Sequence, residues 1–170
     1  MQTSCPAGGE RGLTAGEILL TRSVFGTAID CSRVRIRRRR WFPWQPHSTV
    51  MAPCGHLHLH PGSNLYRDDF ACASIEMQAL FVHEMTHVWQ AQTRGWWYLP
   101  LVWPFSHRYD YTLRSGWPLT RYGIEQQAEI VSHGWLLRQG LCPPGGDGNA
   151  VEYERLIAFP GTRRPPETQI

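Results

Sequence analysis

The stretch "FVHEMTHVWQ", residues 81–90, carries the pattern on which the fold turns: His83, Glu84 and His87 stand as H-E-x-x-H. It lies within "SIEMQALFVHEMTHVWQAQTR", which runs from Ser74 to Arg94 without proline or glycine and meets Gly95 as a helix stop. Ile75, Met77, Leu80, Phe81, Val82, Met85, Val88 and Trp89 point in nearly every direction around the axis, as in a buried central helix. The motif is therefore expected inside the protein. His83 and His87, four apart on one helix face, have Cβ atoms about 5–6 Å from each other, so both imidazoles can reach one ion. About 0.02 such motifs are expected by chance in a chain of this composition.

A catalytic zinc ion takes a third protein ligand and keeps an open position for water. The segment "GIEQQAEIVSHGWLLRQG", residues 123–140, supplies a candidate, because Ile124, Ala128, Val131 and Trp135 mark the buried face of a second helix. On that helix Glu125 and Glu129 stand four apart. One carboxylate could complete a His-His-Glu site, and the next could hydrogen-bond a ligand histidine and fix its orientation. The competing reading leaves both exposed, paired with Arg121 or Arg138. His133 is an alternative third ligand that ranks behind Glu125. Glu84 occupies the motif position of a base. With Zn²⁺ lowering the pKa of its bound water to about 7, Glu84 as general base predicts hydrolysis of a peptide or amide bond, with no cofactor beyond the metal. Donors for the tetrahedral oxyanion are sought among Tyr109, Tyr111, His107 and His133.

Upstream, "TAGEILLTRSVFG" opens with Thr14 and Glu17 three residues on, a capping-box signature, and ends at Gly26. "SRVRIRR", "STVMAP" and "HLHLHPG" read as short strands in succession, a small meander. "HLHLH" puts His56, His58 and His60 on one strand face, a surface histidine ladder, and that strand is a candidate cleft edge for an extended substrate. Residues 95–119 are rich in aromatics and broken by Pro100, Pro104 and Pro118, so a structured loop is expected, with Trp96, Trp97, Trp103 and Trp117 as core and partial cleft wall. A short helix is expected at "VEYERLIAF". The whole reads as one α+β domain over 1–170, its core at about 24–140, with polar, loosely held ends at 1–12 and 141–170.

Charge constrains partners. All 17 basic residues are arginine and the net charge is only +3. Six arginines crowd into "RVRIRRRRW", residues 33–41; since Arg33, Arg35 and Arg37 alternate with Val34 and Ile36, a charged strand edge is expected and not a nucleic-acid surface. Five cysteines without a C-x-x-C pair argue against a disulfide framework and a cysteine-ligated zinc site. The polar start lacks the apolar core of a signal peptide and no run approaches the ~20 apolar residues of a membrane span, so synthesis in the cytoplasm is expected.

Taken together, "VRI" before the short strands, "HPG", "FVHEMTHVWQ" and the later "EQQAE" helix resemble bacterial metallopeptidase domains of the zincin class, gluzincin branch, especially Vgr-related proteins encoded near type VI secretion or Rhs-type toxin genes. The resemblance spans roughly residues 24–138. It implies a zincin-like fold in which His83, His87 and Glu125 hold Zn²⁺, Glu84 is catalytic and Glu129 supports a histidine. Glu129 stands where aspartate is commoner, and the aromatic segment is not part of the general gluzincin pattern. The resemblance also implies a secretion-associated effector acting on a peptide, a protein or a peptidoglycan stem peptide, with a Vgr, Rhs or immunity protein as partner and export by a specialised secretion system. The alternative is a non-catalytic accessory or binding protein of such a system.

Overall fold

The computed structural model describes residues 4–102, 108–143 and 149–162. In chain order the elements are β1 (Glu10–Arg11), α1 (Ala15–Phe25), β2 (Ile36–Arg37), β3 (Val50–Met51), β4 (Leu57–Leu59), α2 (Ile75–Arg94), α3 (Tyr98–Val102), α4 (Ile124–Arg138) and α5 (Ala150–Leu156). The architecture is mixed α+β, with a small sheet and a set of helices sharing one apolar core built around Phe25, Ile36, Leu57, Phe81, Met85, Ile130 and Tyr153.

The capping box of α1 forms as the spacing predicts: Thr14 accepts from the Glu17 amide and Glu17 returns to the Thr14 amide. Glu17 does more than cap. Fully buried, it accepts both guanidinium arms of Arg11 at 2.7 and 2.8 Å and the amide of Phe70 at 3.0 Å. One carboxylate thus joins the chain before α1, the helix itself and the turn that leads into α2. Removing one member of a buried pair strands its partner in a medium that cannot solvate it. Glu17→Ala should therefore lose about 3–5 kcal/mol of stability in urea unfolding; a loss below about 1 kcal/mol, the scale of an exposed pair, would show that Arg11 and Glu17 are held only loosely.

The sheet is not a meander. Its order is β1-β2-β4-β3, with β1/β2 and β3/β4 antiparallel and β2/β4 parallel. Two things displace the expected order. The N-terminal segment adds a strand, tied down by bonds between Gly8, Gly9 and Arg38 and by Glu10, which accepts from Arg37 and Arg39. The proline-interrupted stretch between β2 and β3 then carries the chain past the position β4 will fill. As a result β4 is internal, and β3 stands at the end of the sheet order.

This arrangement overturns two expectations drawn from "HLHLH". His58 and His60 are buried, so the histidines form no surface ladder. Burial, reinforced by Arg37, lowers the pKa of His58 to about 4, which leaves it neutral. Nor can β4 offer a free edge. The arginine run is likewise only partly strand: Arg33 ends a 3₁₀ turn, and strand geometry is confined to Ile36–Arg37. Arg35, Arg37, Arg38, Arg39 and Arg40 all donate to groups within the chain, Arg38 lying over the Tyr66 ring.

α2 is a 20-residue helix that ends at Gly95, as expected, and packs chiefly on α4, with Ser132 donating to the Ala79 carbonyl. α5 forms where "VEYERLIAF" predicts it and lies against α4, where a Cβ at Gly134 would come within 2.8 Å of Ile157. Tyr153, Leu156, Ile157 and Phe159 are buried, so the core extends beyond residue 140. Gly26, at φ 55°, closes α1 beneath the carbonyl of Pro160, a position no side chain could share. The aromatic segment departs from expectation too. Its described part contains the short helix α3, which admits Pro100 within its first turn. Trp96 and Trp97 lie against each other, ring centroids 4.2 Å apart and tilted, but are 57% and 54% exposed; they are not core. Trp103 and His107 lie outside the described residues. Among the described residues no helix is long and apolar enough to cross a membrane.

Candidate metal centre

Two helices supply the site. α2 presents His83, Glu84 and His87, and α4 presents Glu125 and Glu129. Glu125 Oε2 lies 3.4 Å from His83 Nε2 and 3.2 Å from His87 Nε2, and one ligand atom from each of the three residues falls within 4.8 Å of the others. The two glutamates do not pair with Arg121 or Arg138; Arg138 instead forms a two-pronged bond to Glu154.

The outer nitrogens of both histidines are also engaged. Glu129 Oε1 sits 3.3 Å from His83 Nδ1, and Glu129 Oε2 sits 3.1 Å from His133 Nε2. His133 Nδ1 is 2.6 Å from the Tyr111 hydroxyl, which is 2.6 Å from that of Tyr153. One proton arrangement satisfies the chain with neutral rings: Tyr153 donates to Tyr111, Tyr111 to His133, and His133 and His83 each donate to Glu129. His83 then keeps the lone pair on Nε2 for the site. On the other side His87 Nδ1 lies 2.9 Å from Gln90 Oε1, whose amide donates to the Ile124 carbonyl and to Gln127. Both histidines are thus turned by their outer partners so that Nε2 faces Glu125, the arrangement that orients metal-binding imidazoles.

Gln90 and Gln127 were not singled out from the sequence. The available signal was that Gln90, three residues after His87, falls on the same helix face. His133 is not a third ligand here; it supports Glu129. Of the oxyanion candidates, Tyr109 borders the site, its ring nearly parallel to that of His83 at 6.3 Å, whereas Tyr111 and His133 bond each other.

Electrostatics fit a cation. Burial raises the Glu84 carboxyl pKa against the pull of His87 and His83, and its Oε2 is buried with no hydrogen-bond partner among the described residues. Burial works against a charged His83, but its bonds to Glu125 and Glu129 outweigh that and raise it to about 10. The reciprocal bonds overcome burial at Glu125 and Glu129 and bring both to about 2. Without metal the cluster therefore holds a proton where a cation would sit. A cation must displace that proton at any pH below about 10, so affinity rises with pH. Zn²⁺ added to metal-free protein near pH 7.5 should release about one proton per site from His83, and its affinity should keep climbing between pH 7 and 9. A plateau above pH 7, as for an ordinary imidazole, would show that His83 carries no such proton.

Two hollows meet at the motif. One, of about 190 Å³, reaches between β3, α3 and the start of α4; the other, of about 690 Å³, opens on the Glu129 side. Thr49, Val50, His83, Glu84 and Tyr109 border both.

No family model matches the chain. Over 128 residues it is 41% identical to the type VI secretion system spike protein VgrG2b of Pseudomonas aeruginosa, an alignment that takes in 71% of this chain and 12% of that protein. The chain therefore spans about an eighth of that relative. The solved effector domain of Pseudomonas aeruginosa VgrG2b has a like fold, with a TM-score of 0.70 and 33% identity over 92% of this chain and 88% of that one. With nearly the whole of both chains aligned at that identity, this protein belongs to the family of the VgrG2b effector domain.

Proposed function

We propose that the chain is a zinc-dependent metallopeptidase, a single zincin-like domain of the gluzincin type, acting as an effector of type VI secretion. The observation that carries the reading is the convergence of His83 Nε2, His87 Nε2 and Glu125 Oε2 beside the unpartnered, buried carboxylate of Glu84. Two imidazoles and one carboxylate suit Zn²⁺ and leave a coordination position open. When bound there, zinc polarises a carbonyl and lowers the pKa of a coordinated water to about 7.

The chain's own residues supply the rest. Glu84, held by burial at a raised pKa and with a free oxygen, accepts a proton from water and returns it to the leaving amine. Glu129 and Gln90 keep the ligand nitrogens aimed inward. Tyr109, whose ring lies 6.3 Å from that of His83, is the proposed donor to the developing oxyanion. An extended substrate backbone lies along β3, which takes the role expected of β4 because it borders the cleft at the end of the sheet order.

The relative's description as a secretion spike protein supports export of this chain by the same kind of system, with a Vgr protein as carrier; an immunity protein is the further partner proposed for an effector of this kind. The test is metal content and cleavage by the purified chain. One zinc per chain with hydrolysis of peptides, proteins or peptidoglycan stem peptides is expected. A wild-type chain that holds no zinc and cuts nothing in that panel leaves the non-catalytic accessory reading in its place.

A further inference from the structure

Two segments of one chemical character flank the smaller hollow. The loop before β3 brings Trp41 and Phe42 to it, and α3 brings Leu99 and Pro100. Beside those lining residues the same segments carry exposed apolar side chains. Trp44 is 84% exposed in the loop, and on the α3 side Leu101 is 69% exposed, close in sequence to the exposed Trp96 and Trp97. Apolar surface gathered in this way, in contrast to single exposed residues, marks a place of contact.

The charge of these segments has one sign. No aspartate or glutamate occurs between Asp30 and Asp68 or between Glu84 and Asp110, the two stretches that contain the segments and six of the chain's eight tryptophans. Arg37 and Arg39 share the carboxylate of Glu10, so one positive charge is left over. Arg40 and Arg94 are both exposed; Arg40 meets the imidazole of His60 and Arg94 lies over the Tyr98 ring, and neither has an ion-pair partner among the described residues.

We propose that this rim docks the protein onto an anionic phospholipid bilayer. Tryptophan suits the headgroup boundary, where the body of its ring leaves water and its N–H stays wet. The arginines that adjoin it in the chain are drawn to the negative potential of the lipid surface. A glycan fits less well: a sugar can stack on tryptophan but gains nothing from Leu101, and both stretches lack the carboxylates that would accept from its hydroxyls. The attachment does not depend on the peptidase reading. Where that reading holds, the mouth of the site lies next to the bilayer.

The test is flotation of the full chain with vesicles of phosphatidylethanolamine and phosphatidylglycerol, beside vesicles of phosphatidylcholine alone. Binding to the anionic vesicles is expected, at least about tenfold tighter than to phosphatidylcholine and weakened by salt. Trp44→Ala combined with Leu101→Ala should weaken it at least about tenfold, and Arg94→Glu at least about fivefold, with unchanged circular dichroism because all three side chains are exposed. Leu19→Ala combined with Val151→Ala removes comparably exposed apolar side chains from α1 and α5 and should change nothing. Failure to float with anionic vesicles, or an equal loss in the Leu19 and Val151 variant, overturns the proposal. Retention on purified peptidoglycan without flotation assigns the rim to a glycan, and a dimer that the Trp44 and Leu101 variant returns to monomer assigns it to a second copy of the chain; either result also overturns it. None of these measurements reads cleavage, so the peptidase reading stands or falls separately.

Discussion

Glu84→Gln should retain its zinc and lose about 10²- to 10⁴-fold in peptide hydrolysis, the range ascribed to a general acid–base group. The substitution keeps the shape of the side chain and removes its ability to take up a proton. Because Glu84 is buried and its Oε2 lacks a partner, the amide should also leave the metal-free fold at least as stable as the parent, since an ionised carboxylate is costlier to bury than a neutral amide. Activity and stability are thus expected to part company. Equal activity in the two proteins at equal zinc content would remove Glu84 from the reaction. A fall in activity accompanied by loss of zinc would instead make it a ligand, whereas the ligand atoms that converge are those of His83, His87 and Glu125.

Glu125→Ala should abolish stoichiometric metal binding. Two imidazoles remain, turned toward a space from which the carboxylate that both approach has gone. The measurement is the stabilisation that added zinc confers: a ligand at a thousand times its dissociation constant adds about 4 kcal/mol to the native state, and that increment should vanish in the variant. Glu129→Ala provides the graded comparison. It removes the oxygen that steadies His83 Nδ1 while leaving the three donors in place, so affinity should fall by about 10- to 100-fold and not disappear. If the two substitutions weaken zinc equally, the division between ligand and support is wrong.

The helices of the site were legible because periodicity and spacing are local. The H-E-x-x-H spacing, the E-x-x-x-E spacing of Glu125 and Glu129, the Thr14–Glu17 box and the stop at Gly95 each involve residues within one or two turns, and each appears in the structure as its spacing predicts. The sheet was not legible to the same degree. Its strands are two or three residues long, too short for alternation to fix which neighbour each will find. The order was decided instead by distant contacts, namely the recruitment of Glu10 by Arg37 and Arg39 and the parallel pairing of Ile36 with Leu57. The histidines of "HLHLH" depart from a surface ladder for the same reason: whether a strand face is wet depends on what packs over it, and Trp41 and Arg40 come from a loop without a periodic signal. Gln90 escaped notice because a glutamine has no chemistry of its own in such a site; only its contact with His87 gives it a role.

The metal donors sit on α2 and α4, while the walls of the smaller hollow are contributed largely by α3, β3 and the loop before it. These are separate pieces of the chain, and the wall pieces are short. The donors and the shape of the hollow are consequently free to change apart: a relative could rebuild Met51 or the α3 segment without disturbing His83, His87 or Glu125.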